Sequence, residues 1–133
     1  LGKEGVDLPV LAAIAAGGAA GALARLAAET MMPAAPGGFP WATFAVNACG
    51  CLLIGVLMVL VTEARAVHRL VRPFLGVGVL GGFTTFSTYA VQAHDLLAAG
   101  ATAVAAAYLA LTMAAALAAT WAGVRLTRAL VRR

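Results

Sequence analysis

The strongest constraint in this chain is where its charges are not. Fourteen Lys, Arg, Asp and Glu residues occur in 133 positions, and none falls between Leu8 and Ala24, Thr30 and Thr62, Pro73 and His94, or Leu96 and Val124. A helix rises about 1.5 Å per residue, so crossing a hydrocarbon core of about 30 Å takes roughly 20 apolar residues. We place one span in each window, at about 8–28, 41–61, 74–93 and 99–123. The expected fold is an all-α membrane protein with four transmembrane helices, a single domain over 1–133. Composition agrees: 63% of residues are hydrophobic and 11% charged, whereas soluble domains carry about 25% charged residues. A cytosolic enzyme or a nucleic-acid-binding domain is disfavoured on that ground.

The first span is rich in small residues and follows Lys3, as a signal peptide would, but its apolar run is longer than an h-region. The chain starts with Leu1 rather than Met, which points to a truncated or processed native N-terminus. Cys49 and Cys51 are two apart within the second span and point to different sides of a helix, so they suit neither a metal nor a disulfide.

The connections differ in chemistry. Met31 to Pro40 holds three prolines and two glycines and cannot continue a helix. Glu63 to Arg72 is strongly basic, and His94 to Ala98 is a minimal hairpin. With four spans, both termini share a side with the second loop. That side gathers Lys3, Arg65, Arg69, Arg72, Arg125, Arg128, Arg132 and Arg133, while the other holds only Arg25, near the end of the first span. The positive-inside rule then predicts a multi-pass cell-membrane protein with cytoplasmic termini.

The third span is the most informative. Gly76, Gly78, Gly81 and Gly82 are followed by Thr84, Thr85, Ser87 and Thr88, a poor recipe for an uninterrupted helix. We expect a break near Gly81 to Thr85. Unwound backbone at membrane depth survives only where protein, water or an ion satisfies it, so such breaks mark binding sites. The alternative is a glycine packing face with hydroxyls bonded back to their own helix.

The run Gly81-Gly82-Phe83-Thr84-Thr85-Phe86-Ser87-Thr88 resembles the signature of the Fluc (CrcB) fluoride channels. Two further stretches match in order: the glycines from Gly17 to Gly21 ending in Arg25, and Thr43 followed by Asn47 and Gly50. The resemblance covers essentially the whole chain. It implies an antiparallel, dual-topology dimer that exports cytoplasmic fluoride passively. Fluoride pore residues would be Asn47, Phe86, Thr43, Ser87, Tyr108 and Thr112, with Tyr89 where the family has a second phenylalanine. Backbone carbonyls of Gly81 and Thr84 would hold a structural sodium ion at the dimer centre.

Physical chemistry supports these roles. A phenylalanine ring presents a positive edge to an anion, and the Asn47 amide offers donors, although an interhelical hydrogen bond is the plain alternative for Asn47. Tyr108 and Thr112 share a helix face; Ala116 interrupts that track and Thr120 resumes it. Gln92 is neutral where family members often carry a glutamate. Arg25 is either a vestibule charge or a partner of Glu29 at i+4.

Two rivals remain. A proton-coupled multidrug exporter needs a membrane-buried carboxylate, for which the first span offers only Glu29, and a non-transporting subunit needs a continuous third helix. The eight-to-one bias of basic residues also sits uneasily with one sequence inserting both ways, so the inverted partner is a second copy or a paralogue.

Overall fold

A computed structural model describes residues 5–63 and 67–133; Lys3 and Arg65 lie outside the described residues. Among these residues every regular element is helical. Helix α1 (Leu8–Met31) is capped by Asp7, whose carboxylate accepts the Val10 N–H at 3.4 Å, and Pro9 sits in the first turn, where no helical donor is needed. Helix α2 (Trp41–Glu63) begins directly after Pro40.

The third crossing is composite. A π-helical stretch, Arg72–Leu80, runs into a single α-turn, α3 (Gly81–Phe83). Thr84 is extended, at φ −80° and ψ 155°, and α4 (Ser87–Ala98) follows after Phe86. Helix α5 (Thr102–Val131) closes the bundle. The stretches Leu8–Met31, Trp41–Glu63, Arg72–Ala98 and Thr102–Val131 are each long and apolar enough to cross a membrane.

The helices overrun the spans read from the sequence at most ends, and furthest at two of them. The hairpin expected at 94–98 lies at 99–101, because α4 winds on to Ala98 before Gly100 turns the chain at φ 78° and the Ala101 N–H closes back on the Leu96 carbonyl at 2.9 Å. The last helix runs to Val131 rather than stopping at 123, since arginines beyond the hydrocarbon core still favour helix.

Packing inverts the soluble pattern. Thr43 and Tyr108 are fully buried, while Leu23, Leu117 and Trp121 are 66%, 70% and 65% exposed. Helix contact here depends on close backbone approach rather than on a greasy core. A Cβ built on Gly21 would lie 2.8 Å from the Phe83 nitrogen, and one on Gly17 2.9 Å from the Val79 nitrogen. Gly55 and Gly123 make the equivalent approach between α2 and α5, a Cβ on Gly55 falling 3.3 Å from the Gly123 Cα. The most extensive contacts accordingly join α1 to the third crossing and α2 to α5, and α1 touches α2 little.

Ion pairs bind one end of the bundle. Arg69 meets Asp7 at 2.7 Å and Arg128 meets Glu63 at 2.7 Å, so the start of α1, the end of α2, the loop before the third crossing and the end of α5 lie together. The hydrogen bond from Arg69 holds the Asp7 carboxyl below its ordinary value.

Candidate functional site

The site begins with the Asn47 amide, which is directed at the gap between α3 and α4. Its Nδ2 donates to the Thr85 carbonyl at 2.8 Å, and its Oδ1 accepts the Thr85 N–H at 2.8 Å. An amide side chain has the donor–acceptor layout of a peptide, so Asn47 pairs with Thr85 as a neighbouring backbone would. Of the readings open for Asn47, the interhelical bond is therefore made, and it falls on the non-helical segment.

The redirected donors have a second effect. In an uninterrupted helix the Thr85 N–H would reach the Gly81 carbonyl and the Thr88 N–H the Thr84 carbonyl. The first goes to Asn47, and the second donates to the Thr85 Oγ1 at 3.1 Å. Gly81 and Thr84 thus each lose the helical donor to their carbonyl, and both line a surface cavity of about 210 Å³ with Gly50, Gly76 and Leu80. Two hard carbonyl oxygens relieved of their donors suit a hard cation.

Beside the gap lies a buried aromatic and hydroxyl cluster. Tyr89 and Tyr108 stack edge to face at 5.1 Å, and Phe39 meets Tyr108 at 5.3 Å. The Tyr89 hydroxyl donates to the Leu109 carbonyl at 2.8 Å, and the Tyr108 hydroxyl to Gln92 Oε1 at 2.8 Å. Both tyrosines thus have partners for their donors. The Thr112 hydroxyl, by contrast, is buried without a hydrogen-bond partner, and the buried Thr43 hydroxyl faces that of Tyr108. An unpartnered buried hydroxyl costs roughly 1–3 kcal/mol, so the Thr112 hydroxyl gains from any partner that reaches it.

The expected pore residues divide in position. Asn47, Thr43, Tyr89, Tyr108 and Thr112 are buried, whereas Phe86 is 74% exposed and Ser87 is also exposed on the single chain. Phe86 still leans on Tyr89, with ring centroids 5.7 Å apart. The Thr120 hydroxyl donates to the Ala116 carbonyl at 2.9 Å and so does not resume the track beyond Thr112. Arg25 lies 3.8 Å from Glu29, as the i+4 spacing suggests, and its Nε also donates to the Gly82 carbonyl at 3.2 Å.

Three features escaped the sequence reading. The Gln92 partner is Tyr108, on another helix. Arg25 reaches across to the backbone of α3. Glu29, Thr43, Thr88 and Gln92 line a cavity of about 120 Å³. Polar residues at helical spacing were the available signal, but partners 16 or 57 residues away in sequence are set only by packing. Among the described residues, no group of three His, Cys, Asp or Glu side chains is placed to hold a metal.

The family model described as CrcB-like protein, Camphor Resistance (CrcB), matches residues 12–124. The chain is 60% identical over 113 residues to the fluoride-specific ion channel FluC 1 of Streptomyces coelicolor, covering 85% of this chain and 73% of that protein. It is 58% identical to the fluoride-specific ion channel FluC 2 of Nocardia farcinica, with 85% and 81% covered. The fluoride-specific ion channel FluC of Pseudomonas fluorescens is 46% identical over 122 residues, with 91% and 98% covered.

Proposed function

The chain belongs to the CrcB family, and from that membership we propose that it is a fluoride-selective channel that lets cytoplasmic fluoride leave the cell. It is a multi-pass membrane protein and not an enzyme. Fluoride enters as neutral hydrogen fluoride and ionises inside; an inside-negative potential then drives the anion out by roughly 2.3 kcal/mol per charge per 100 mV. No carrier chemistry is required.

The observation that carries this reading beyond family membership is the buried, unpartnered hydroxyl of Thr112, next to the buried hydroxyls of Tyr108 and Thr43. Donors that replace hydration without adding a full charge are what a narrow path for a small anion needs. Thr43 and Asn47 line the path from α2, Tyr108 and Thr112 from α5, and Phe86, Ser87 and Tyr89 from α4. Phe86, exposed on one chain, offers its ring edge once a second subunit covers it. Tyr89 keeps the ring edge, and its hydroxyl is engaged by Leu109.

The working unit is an antiparallel dimer in which the gap at Thr84 to Phe86 is the functional break of the third helix. A sodium ion at the dimer axis would be held by the Gly81 and Thr84 carbonyls of both copies; when bound it supplies a fixed positive centre that ties the two breaks together. The fit rests on the missing helical donors to those carbonyls. The basic end faces the cytoplasm in the favoured orientation. The bias of basic residues toward that end favours a paralogous partner of opposite bias over a second copy.

Fluoride efflux from liposomes holding the purified chain tests the function. A fluoride-specific flux with no chloride flux is expected. No flux from the chain alone or with its paralogue would sink the channel reading, and flux only with the paralogue would establish the heterodimer.

A further inference from the structure

The arginine-rich end of α5 has a shape and a chemistry that fluoride conduction does not use. A helix of 30 residues extends about 45 Å, roughly 15 Å more than a hydrocarbon core. The overshoot carries Arg125, Arg128, Arg132 and Arg133 into the headgroup layer. At about 100° per residue, Arg125, Arg128 and Arg132 fall on one face. With Ala129 they line a cleft of about 320 Å³.

The three arginines are not equivalent. Arg128 is committed to Glu63 through its Nε at 2.7 Å. Among the described residues, no carboxylate pairs with Arg125 or Arg132. Arg125 instead lies over the Trp121 ring, 5.4 Å from its centroid. Trp121 and Leu117, on the same face one and two turns deeper, are 65% and 70% exposed. An apolar track in the bilayer therefore rises past an interfacial tryptophan to two guanidinium groups with no carboxylate partner among the described residues and a small residue between them.

We propose that this cleft binds an anionic phospholipid, with the phosphodiester between Arg125 and Arg132 and an acyl chain along Trp121 and Leu117. Guanidinium groups match phosphate oxygens in planar, two-pronged fashion, and basic pockets at membrane depth are recognised lipid headgroup sites. A soluble phosphate could use the same two arginines but not the apolar track, which favours the lipid. Arg128 also lines the cleft, and its pairing with Glu63 ties the end of α2 to α5.

The test uses the full chain in phosphatidylcholine vesicles, with Trp41→Phe leaving Trp121 as the single reporter. Brominated phosphatidylglycerol and brominated phosphatidylcholine are compared as quenchers. Each arginine engaged contributes about a fivefold preference for the anionic lipid, so quenching by phosphatidylglycerol should be half-complete at a mole fraction at least fivefold lower. Arg132→Gln, which leaves the Arg125–Trp121 contact in place, should cut that preference about fivefold, and Arg125→Gln with Arg132→Gln should abolish it. Arg72→Gln, at the same end but on another helix, should leave it unchanged. Equal quenching by both lipids, or an equal loss with Arg72→Gln, would overturn the proposal in favour of diffuse surface charge. Displacement of the lipid by millimolar glycerol phosphate would overturn it in favour of a soluble anion.

Discussion

Replacing Asn47 by Ala removes both hydrogen bonds that its amide makes to Thr85, each 2.8 Å long. The Thr85 N–H and carbonyl lie in the gap between two helices, and the N–H can recover a partner only by winding back onto the Gly81 carbonyl. Leaving a buried polar group unpaired costs roughly 1–3 kcal/mol, although polar contacts between membrane helices average only about 0.6 kcal/mol when the surroundings can adjust. Asn47 is only 9% exposed and Thr85 is half-buried, so adjustment is partial. We therefore expect about 2 kcal/mol at this segment, or roughly 30-fold faster hydrogen exchange at the Thr85 amide if the segment opens locally. Hydrogen–deuterium exchange in detergent micelles, read at peptides covering 83–88, measures it directly. Asn47→Asp separates the two bonds: the carboxylate keeps an acceptor for the Thr85 N–H and loses the donor to the Thr85 carbonyl, so protection of the amide should survive in part. If exchange at Thr85 is unchanged in Asn47→Ala, the amide does not clamp the gap and the reasoning fails, whatever happens to fluoride flux.

Four further outcomes follow from the same geometry. Thr112→Val removes a hydroxyl that has no partner, so it should leave thermal stability unchanged or slightly raised while lowering fluoride efflux at least several-fold; lost stability with normal efflux would place this hydroxyl outside the path. Tyr89→Phe removes one bond to the Leu109 carbonyl, at a cost of about 1 kcal/mol in unfolding, and should keep fluoride flux within about twofold; a larger change would mean that the hydroxyl serves the ion. Gly21→Leu puts a side chain against the backbone of Val79 and Phe83 and should prevent a stable monodisperse fold, seen as aggregation in size-exclusion chromatography, whereas Leu23→Ala on the exposed face should not. The Arg69 hydrogen bond lowers the Asp7 carboxyl from its ordinary 3.8; the tether between α1 and the second loop is therefore fully present above about pH 4 and is lost as pH falls through the lowered value. Arg69→Ala should return Asp7 toward the ordinary value in a carboxyl-resolved NMR titration.

The four crossings were legible because the absence of charge over 20 residues is a one-dimensional property of the chain. Helix ends were less so. Span length measures the bilayer, but α5 obeys its own hydrogen bonds and caps and runs past the bilayer to Val131. The third crossing shows the same division. Glycines and hydroxyls pointed to Gly81 through Thr85, while the non-helical residues are Thr84 to Phe86, a shift set by where Asn47 captures the Thr85 N–H. Asn47, Tyr89, Tyr108 and Thr112 were singled out by a motif resemblance, and all four are buried. Their partners were not readable, since a bond from Tyr108 to Gln92 or from Arg25 to Gly82 depends on how two helices are rotated against each other. Hydroxyls make the point most clearly: Thr112 and Thr120 look alike in sequence, yet one is unpartnered and the other bonds its own helix.

The glycine seams described above also constrain the order in which the protein can be made. Sequential neighbours α1 and α2 leave the ribosome first and share few contacts, whereas the seam of α1 waits for Gly78 and Gly82, and that of α2 for Gly123. No early hairpin is therefore self-sufficient. Each of the first two helices must be held in lipid, with an unfilled backbone groove, until its partner arrives two insertions later. Such a chain folds by late, long-range closure, and it depends on whatever shelters those grooves during synthesis.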